Sequence, residues 1–202
     1  MALRRLSTSS IQTNGKSSKL WDQTTFQSGM FALATVSLTT ATSTISFDNI
    51  PSNYTHLQVR AMMRSNGSFA GTLDMWLRFN GDTGSNYSRH VLQGNGTAAA
   101  AGGNITETRI PFGNAIPGAL STANTFGVAV IDILDYTSTN KNKTVRGLYG
   151  ANDNTTNTEY RIQLNSGLWY ATPTAITSIT LLPEVNDFVQ YSNFALYGIK
   201  AG

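Results

Sequence analysis

Residues 77–87 read LRFNGDTGSNY, and the role of this stretch decides the fold. Asn80, Asp82, Ser85 and Asn86 surround Gly81 and Gly84. Oxygen ligands at short spacing suit a cation loop. Glycines beside an acid suit a phosphate cradle. The same letters also suit the tip between two strands. The flanks decide among the three. Ahead of it, LDMWLRF sets Leu73, Met75, Leu77 and Phe79 on one side and Asp74, Trp76 and Arg78 on the other, the period of a strand with one buried face. Behind it, YSRHVLQ (87–93) reads as a shorter strand. Asn80-Gly81 is a hairpin signal because both residues tolerate positive φ. A calcium loop would bring several carboxylates and a bidentate Glu, whereas this one holds only Asp82. A phosphate loop would need a Lys-Ser/Thr pair and a following helix. The stretch therefore reads as a turn, with a loosely bound cation at Asp82 left open.

Working outward, the same grammar repeats. FALATVSL (31–38) is a strand. After the break Pro51-Ser52-Asn53, THLQVRAMMR alternates Leu57, Val59, Ala61 and Met63 against Gln58, Arg60, Met62 and Arg64. ITETRI (105–110) reads as another short strand, and AAAAGG (98–103) as a low-complexity loop. FGVAVIDILDY (126–136) is apolar on both faces at first, which predicts a central strand with Val128 and Val130 in the core. KTVRGLYG, EYRIQLNSGLW, AITSITLL and FVQYSNFALYGIK follow. Roughly nine or ten strands separated by Gly, Asn and Pro predict an antiparallel β-sandwich of jelly-roll type.

Composition agrees. Of 202 residues 40% are hydrophobic and 12% charged, the latter about half of what soluble domains carry. Thr, Ser, Asn and Gly fill the difference, which favours a rigid β-scaffold. The chain has no Cys, so zinc-thiolate sites, Cys nucleophiles and disulfide frameworks are excluded. No apolar run approaches the ~20 residues that span a bilayer. MALRRLSTSS lacks the apolar core of a signal peptide.

Charge and pattern divide the chain into an N-terminal anchoring arm, residues 1–30, and a body, residues 31–202. Residues 1–25 hold Arg4, Arg5, Lys16 and Lys19 against Asp22, and so carry the whole net charge of +3. The body is neutral, which argues against a nucleic-acid face. The arm is polar and without period, with isolated anchors including Leu20, Trp21 and Phe26. Such a segment has little to bury on its own, and the expectation is that it docks on a partner, Arg4 and Arg5 against an acidic surface.

Catalytic constellations are not apparent. His56 and His90 stand apart from any Asp/Glu–Ser pattern, and Asp132 and Asp135 point to opposite faces of one strand. Glu107, Glu159 and Glu184 lie in separate segments. No metal and no cofactor is expected. Trp76 falls on a polar strand face, and Trp169 and Tyr170 follow what reads as a turn, Asn165-Ser166-Gly167. These three are the surface-recognition candidates, for a glycan or a protein. The alternative for Trp76 is cover by the arm or another subunit. Arg60, Arg64 and Arg78 on outward faces would line the same groove.

The phrases FDNIPSNYTHLQVRAMMRS, LRFNGDTGSNYSRHVLQGNG, VIDILDYTSTNKNKTVRGLYG, SGLWYATPTAITSITLL and YSNFALYGIK, taken in order, resemble small virion structural proteins of tailed bacteriophages of aquatic bacteria. The resemblance spans about residues 31–200. It implies a non-enzymatic particle component, assembled in the host cytoplasm and exposed on the virion surface. Its partners would be the major capsid protein or tail proteins. It also implies a homo-oligomer, with a trimer the expected form. Two postings follow: a capsid decoration or head-fibre protein docked through its arm, or a tail fibre or tail-tip protein that binds host glycan. The lack of a long shaft or coiled-coil heptads favours the capsid. A sandwich also hosts lectins, and a polysaccharide hydrolase would need two carboxylates facing a cleft.

Overall fold

The alternation in residues 57–63 and 73–79 is the frame on which the molecule is built. The protein is described as a computed structural model over residues 29–69, 71–152 and 161–200. The arm residues Arg4, Arg5, Leu20, Trp21 and Phe26 lie outside the described residues. The described chain is all β, in twelve strands: β1 (Gly29–Ser37), β2 (Ile45–Phe47), β3 (His56–Met63), β4 (Thr72–Phe79), β5 (Tyr87–Gly94), β6 (Ala99–Glu107), β7 (Ile110–Pro117), β8 (Gly127–Ile133), β9 (Lys143–Ala151), β10 (Arg161–Trp169), β11 (Ile179–Pro183) and β12 (Asn193–Lys200). They form an eight-stranded sheet, ordered β1-β12-β3-β8-β9-β10-β5-β6, and a four-stranded sheet, ordered β2-β11-β4-β7. Every pairing is antiparallel. The two sheets pack face to face as a sandwich. No described helix is long and apolar enough to cross a membrane.

In β3, Leu57, Val59, Ala61 and Met63 are buried, and in β4 so are Leu73, Met75, Leu77 and Phe79, as their period requires. Between the sheets they meet Phe112 and Ile116 of β7, Ile131 and Ile133 of β8, and Phe194 and Leu196 of β12. Gly147 lets the Phe112 ring reach the backbone of β9, since a Cβ there would lie 2.4 Å from the ring.

Four expectations are corrected. Residues 98–103 are not a loop: Ala99 opens β6, an edge strand with neither face covered. Ala and Gly carry little strand signal, and the pairing with β5 sets the conformation. Residues 105–110 are not one strand, because β6 ends at Glu107 and β7 begins at Ile110. Pro111, Gly113 and Pro117 disguise β7, but it is the edge of the smaller sheet, where proline costs no ladder hydrogen bond. Asn165-Ser166-Gly167 is not a turn but the middle of β10. Asn165 is buried, its amide donating to the Pro111 carbonyl at 2.9 Å. In β8 the predicted core face is reversed. Ala129, Ile131 and Ile133 are buried, whereas Val128 is 56% and Val130 39% exposed. The strand is central, between β3 and β9, yet no other described element covers its outer face.

Candidate functional site

Asn80 and Gly81 have φ of 50° and 68°, and Asp82 N–H donates to the Phe79 carbonyl at 2.9 Å. The tight turn is therefore present, but it closes no hairpin. β4 enters the four-stranded sheet and β5 the eight-stranded one, so residues 80–86 are a corner between layers. The Asp82 carboxylate ties the corner. It accepts from Gly84 N–H at 2.8 Å, from the Asn86 amide at 3.0 Å and from the Trp169 indole N–H at 2.7 Å. N–H donors converge on both oxygens, the reverse of a cation cage. Burial pushes the carboxyl up, but the donors from Trp169, Asn86 and Gly84 together hold it below the usual carboxylate range. Among the described residues no group of three or more His, Asp or Glu could hold a metal.

Trp169 is consequently not a surface residue. It is 4% exposed, packed against Phe79 and stacked on Tyr87. Tyr170 is half-buried, and its hydroxyl donates to the backbone: the Ser85 carbonyl lies at 2.8 Å and that of Ile105 at 2.6 Å. Trp76 is covered by the chain itself, the Arg109 guanidinium lying 3.8 Å above its ring. These three candidates do not assemble into a recognition surface. Of the arginines placed on outward faces, Arg64 lies just past β3 and is buried. It donates to the carbonyls of Ala119, Ser121, Thr122 and Thr125 and pins residues 119–125. Arg78 donates to the Thr108 carbonyl, and Arg60 sits over the Tyr197 ring.

The histidines and acids of β3, β8 and their turns are structural. His56 Nδ1 accepts from Asp135 N–H at 3.0 Å. Asp132 accepts from Gln58 and Arg146, and Asp135 from Lys141. Glu107 accepts from Asn104, and Glu159 lies outside the described residues.

Two features were not singled out in the sequence. The first is the outer face of the eight-stranded sheet. Across β8, β9, β10 and β5 the row Val130, Leu148, Leu164, Leu92 runs in register, and each of these is 39–55% exposed. The next row runs Met62, Val128, Gly150, Ile162, Gly94. The glycines leave an apolar groove of about 590 Å³ walled by Phe126, Val128, Leu148 and Ile162. On its other side a polar row, Gln58, Asp132, Arg146, Ser166 and His90, borders the patch. Alternation within β9 and β10 carried the signal, since Leu148, Ile162 and Leu164 fall opposite to buried partners.

The second is a polar pocket of about 230 Å³ where the eight-stranded sheet overhangs β7. Asp74, Arg89, Gln93, Asn114 and Gln163 line it, and Gly102 and Gly113 leave it open. Its residues come from separate strands, so no local motif announced it. Burial raises the Asp74 carboxyl above its ordinary range, the Asn114 N–H opposes this, and the Glu184 charge adds to it.

No family model matches the chain, and no curated protein or solved structure does either.

Proposed function

We propose that the chain is a non-enzymatic structural component of a bacteriophage particle whose body pairs with a second copy through the outer face of its large sheet. The observation that carries this reading is the pair of apolar rows, Val130-Leu148-Leu164-Leu92 and Met62-Val128-Ile162, which the other described residues leave exposed side by side on one sheet face. A contiguous exposed apolar patch rimmed by polar residues marks an interaction surface. At the border Arg146 is paired with Asp132 within the chain, and Arg60 lies beside them. A second copy meeting the same patch gives a twofold dimer. The trimer expected from the sequence would need a second, different patch on each subunit.

The crossovers between layers fit a jelly roll enlarged by the β9–β10 hairpin and by β1 and β12. The resemblance of residues 31–200 to phage virion proteins supports the posting on the particle. Residues 1–30, with Arg4, Arg5, Leu20, Trp21 and Phe26, are assigned the mounting role, on the capsid as a decoration or head-fibre protein. Imaging of the virion by electron cryomicroscopy tests this. Density for the body over the icosahedral shell, lost when residues 1–25 are deleted, is the expected result. Density at the tail alone would move the chain to the tail-fibre alternative, and absence from the particle would overturn the reading.

A further inference from the structure

The pocket under the overhang is built of hydrogen-bond donors that the protein itself does not use. Arg89 forms no salt bridge and no hydrogen bond with any described residue, its charge acting on Asp74 only through space. Its Nε is buried out of a ligand's reach, but Nη1 lies at the pocket wall beside Gly113, and the two Nη groups can hold a carboxylate with two parallel bonds. The neighbouring amides are aligned by a relay along one cross-strand row. Tyr149, Gln163 and Gln93 are register partners on β9, β10 and β5. The Tyr149 hydroxyl donates to Gln163 Oε1 at 2.7 Å, and Gln163 Nε2 donates to Gln93 Oε1 at 3.1 Å. The relay consumes the Gln93 acceptor and leaves its amide N–H groups without a described partner. Asn114 is set the same way: its Oδ1 accepts from the Thr72 hydroxyl at 3.1 Å, and its amide N–H groups remain. Asp74, held by Asn114 N–H at 3.0 Å, is the one acidic side chain lining the pocket.

Three sets of unused donors and one carboxyl acceptor define a ligand. It must carry an anionic acceptor for Arg89 and hydroxyls that can both accept from the amides and donate to Asp74. The volume of about 230 Å³ falls below the ~300–1,000 Å³ of pockets for drug-sized ligands, so the ligand is no larger than one ring. We propose that this pocket binds a small hydroxy acid of the sugar-acid class, its carboxylate on the Arg89 guanidinium and its hydroxyls among Gln93, Asn114 and Asp74. This site lies on the inner face of the large sheet and is separate from the apolar outer face, so it stands independently of the assembly role.

Titration of the full chain with glucuronate, followed by the side-chain amide resonances of Gln93, Asn114 and Gln163, tests the proposal. Glucose serves as the uncharged control. The expected result is saturable shifts of those resonances with glucuronate and at least tenfold weaker binding of glucose. Arg89→Gln should abolish the response. Gly102→Val, on an exposed strand where an added Cβ meets only Val91 at 3.7 Å, should block it by filling the pocket while leaving Arg89 intact. Absence of shifts in the wild-type protein at millimolar glucuronate would overturn the proposal. So would equal binding of glucose, or binding that survives Gly102→Val in a folded variant.

Discussion

The indole N–H of Trp169 meets the Asp82 carboxylate at 2.7 Å, joining the last residue of β10 to the corner that follows β4. The contact locks one of the corners, each holding a residue of positive φ, at which the chain steps from the small sheet to the large one. Tyr87 closes the same knot: its hydroxyl accepts from Phe79 N–H at 3.1 Å, and burial pushes its own ionisation up to about 12. Trp169→Phe keeps an aromatic ring but removes the N–H together with the fused five-membered ring. It should destabilise by about 2 kcal/mol or more, the loss of a hydrogen bond to a charged group plus the space left in the core, measured by chemical denaturation. No change would mean that the corner is held by packing alone.

The same carboxylate makes stability depend on pH. Asp82 titrates below its ordinary value in the fold, so its contribution is complete above the unfolded value of about 3.9 and is lost as pH falls through the folded value. Asp132 acts in the same sense, burial opposing but Gln58 and Arg146 outweighing it. Asp74, raised chiefly by burial, acts in the opposite one. Unfolding temperatures from pH 6 to pH 2 should therefore fall for the wild type, and the fall should be shallower in Asp82→Asn. Equal slopes would contradict the assignment.

Ile131 and Val130 are neighbours on β8 with opposite fates. Ile131→Ala should cost roughly 2–4 kcal/mol, because Ile131 is fully buried. Val130→Ala should cost under about 0.5 kcal/mol when the protein is monomeric. Equal costs would show that the outer face is covered within a single chain.

Gly127 and Gly102 form a second contrast. A Cβ at Gly127 would lie 1.8 Å from the Ala115 carbonyl oxygen, backbone that cannot swing aside. Gly127→Ala should prevent folding or lower the unfolding temperature by many degrees, whereas Gly102→Ala should leave it nearly unchanged. Thermal unfolding of both variants decides.

Legibility in the sequence tracked how far each element depends on distant partners. β3 and β4 were readable because polar residues, Gln58 and Arg60 in one and Asp74 and Arg78 in the other, alternate with apolar ones, although Asp74 ends in the pocket beside β7. β8 was not, because Val128 and Val130 are as apolar as Ile131, and only the packing of the small sheet selects a face. The prolines of β7 and the alanines of β6 obscured strands that exist because a neighbour pairs with them. Trp169 was misplaced because Asn165, Ser166 and Gly167 spell a turn locally. In the fold Gly167 instead makes room for Ile110, whose side chain a Cβ would approach to 2.8 Å. The Asp82 turn was legible as a turn but not as a corner, since nothing local tells which sheet each flank joins. Arg89 is one letter of YSRHVLQ with nothing local to set it apart, because its pocket is completed by four other strands.

The central claim is that the outer face of the large sheet is an assembly surface. Sedimentation equilibrium of the full chain beside Leu148→Glu and Ile162→Glu tests it most directly, because both side chains are exposed and neither substitution disturbs the core. A wild-type dimer at micromolar concentration, reduced to monomer by either substitution with the unfolding of the monomer unchanged, is the predicted result. A wild-type monomer, or an oligomer indifferent to both substitutions, would contradict it.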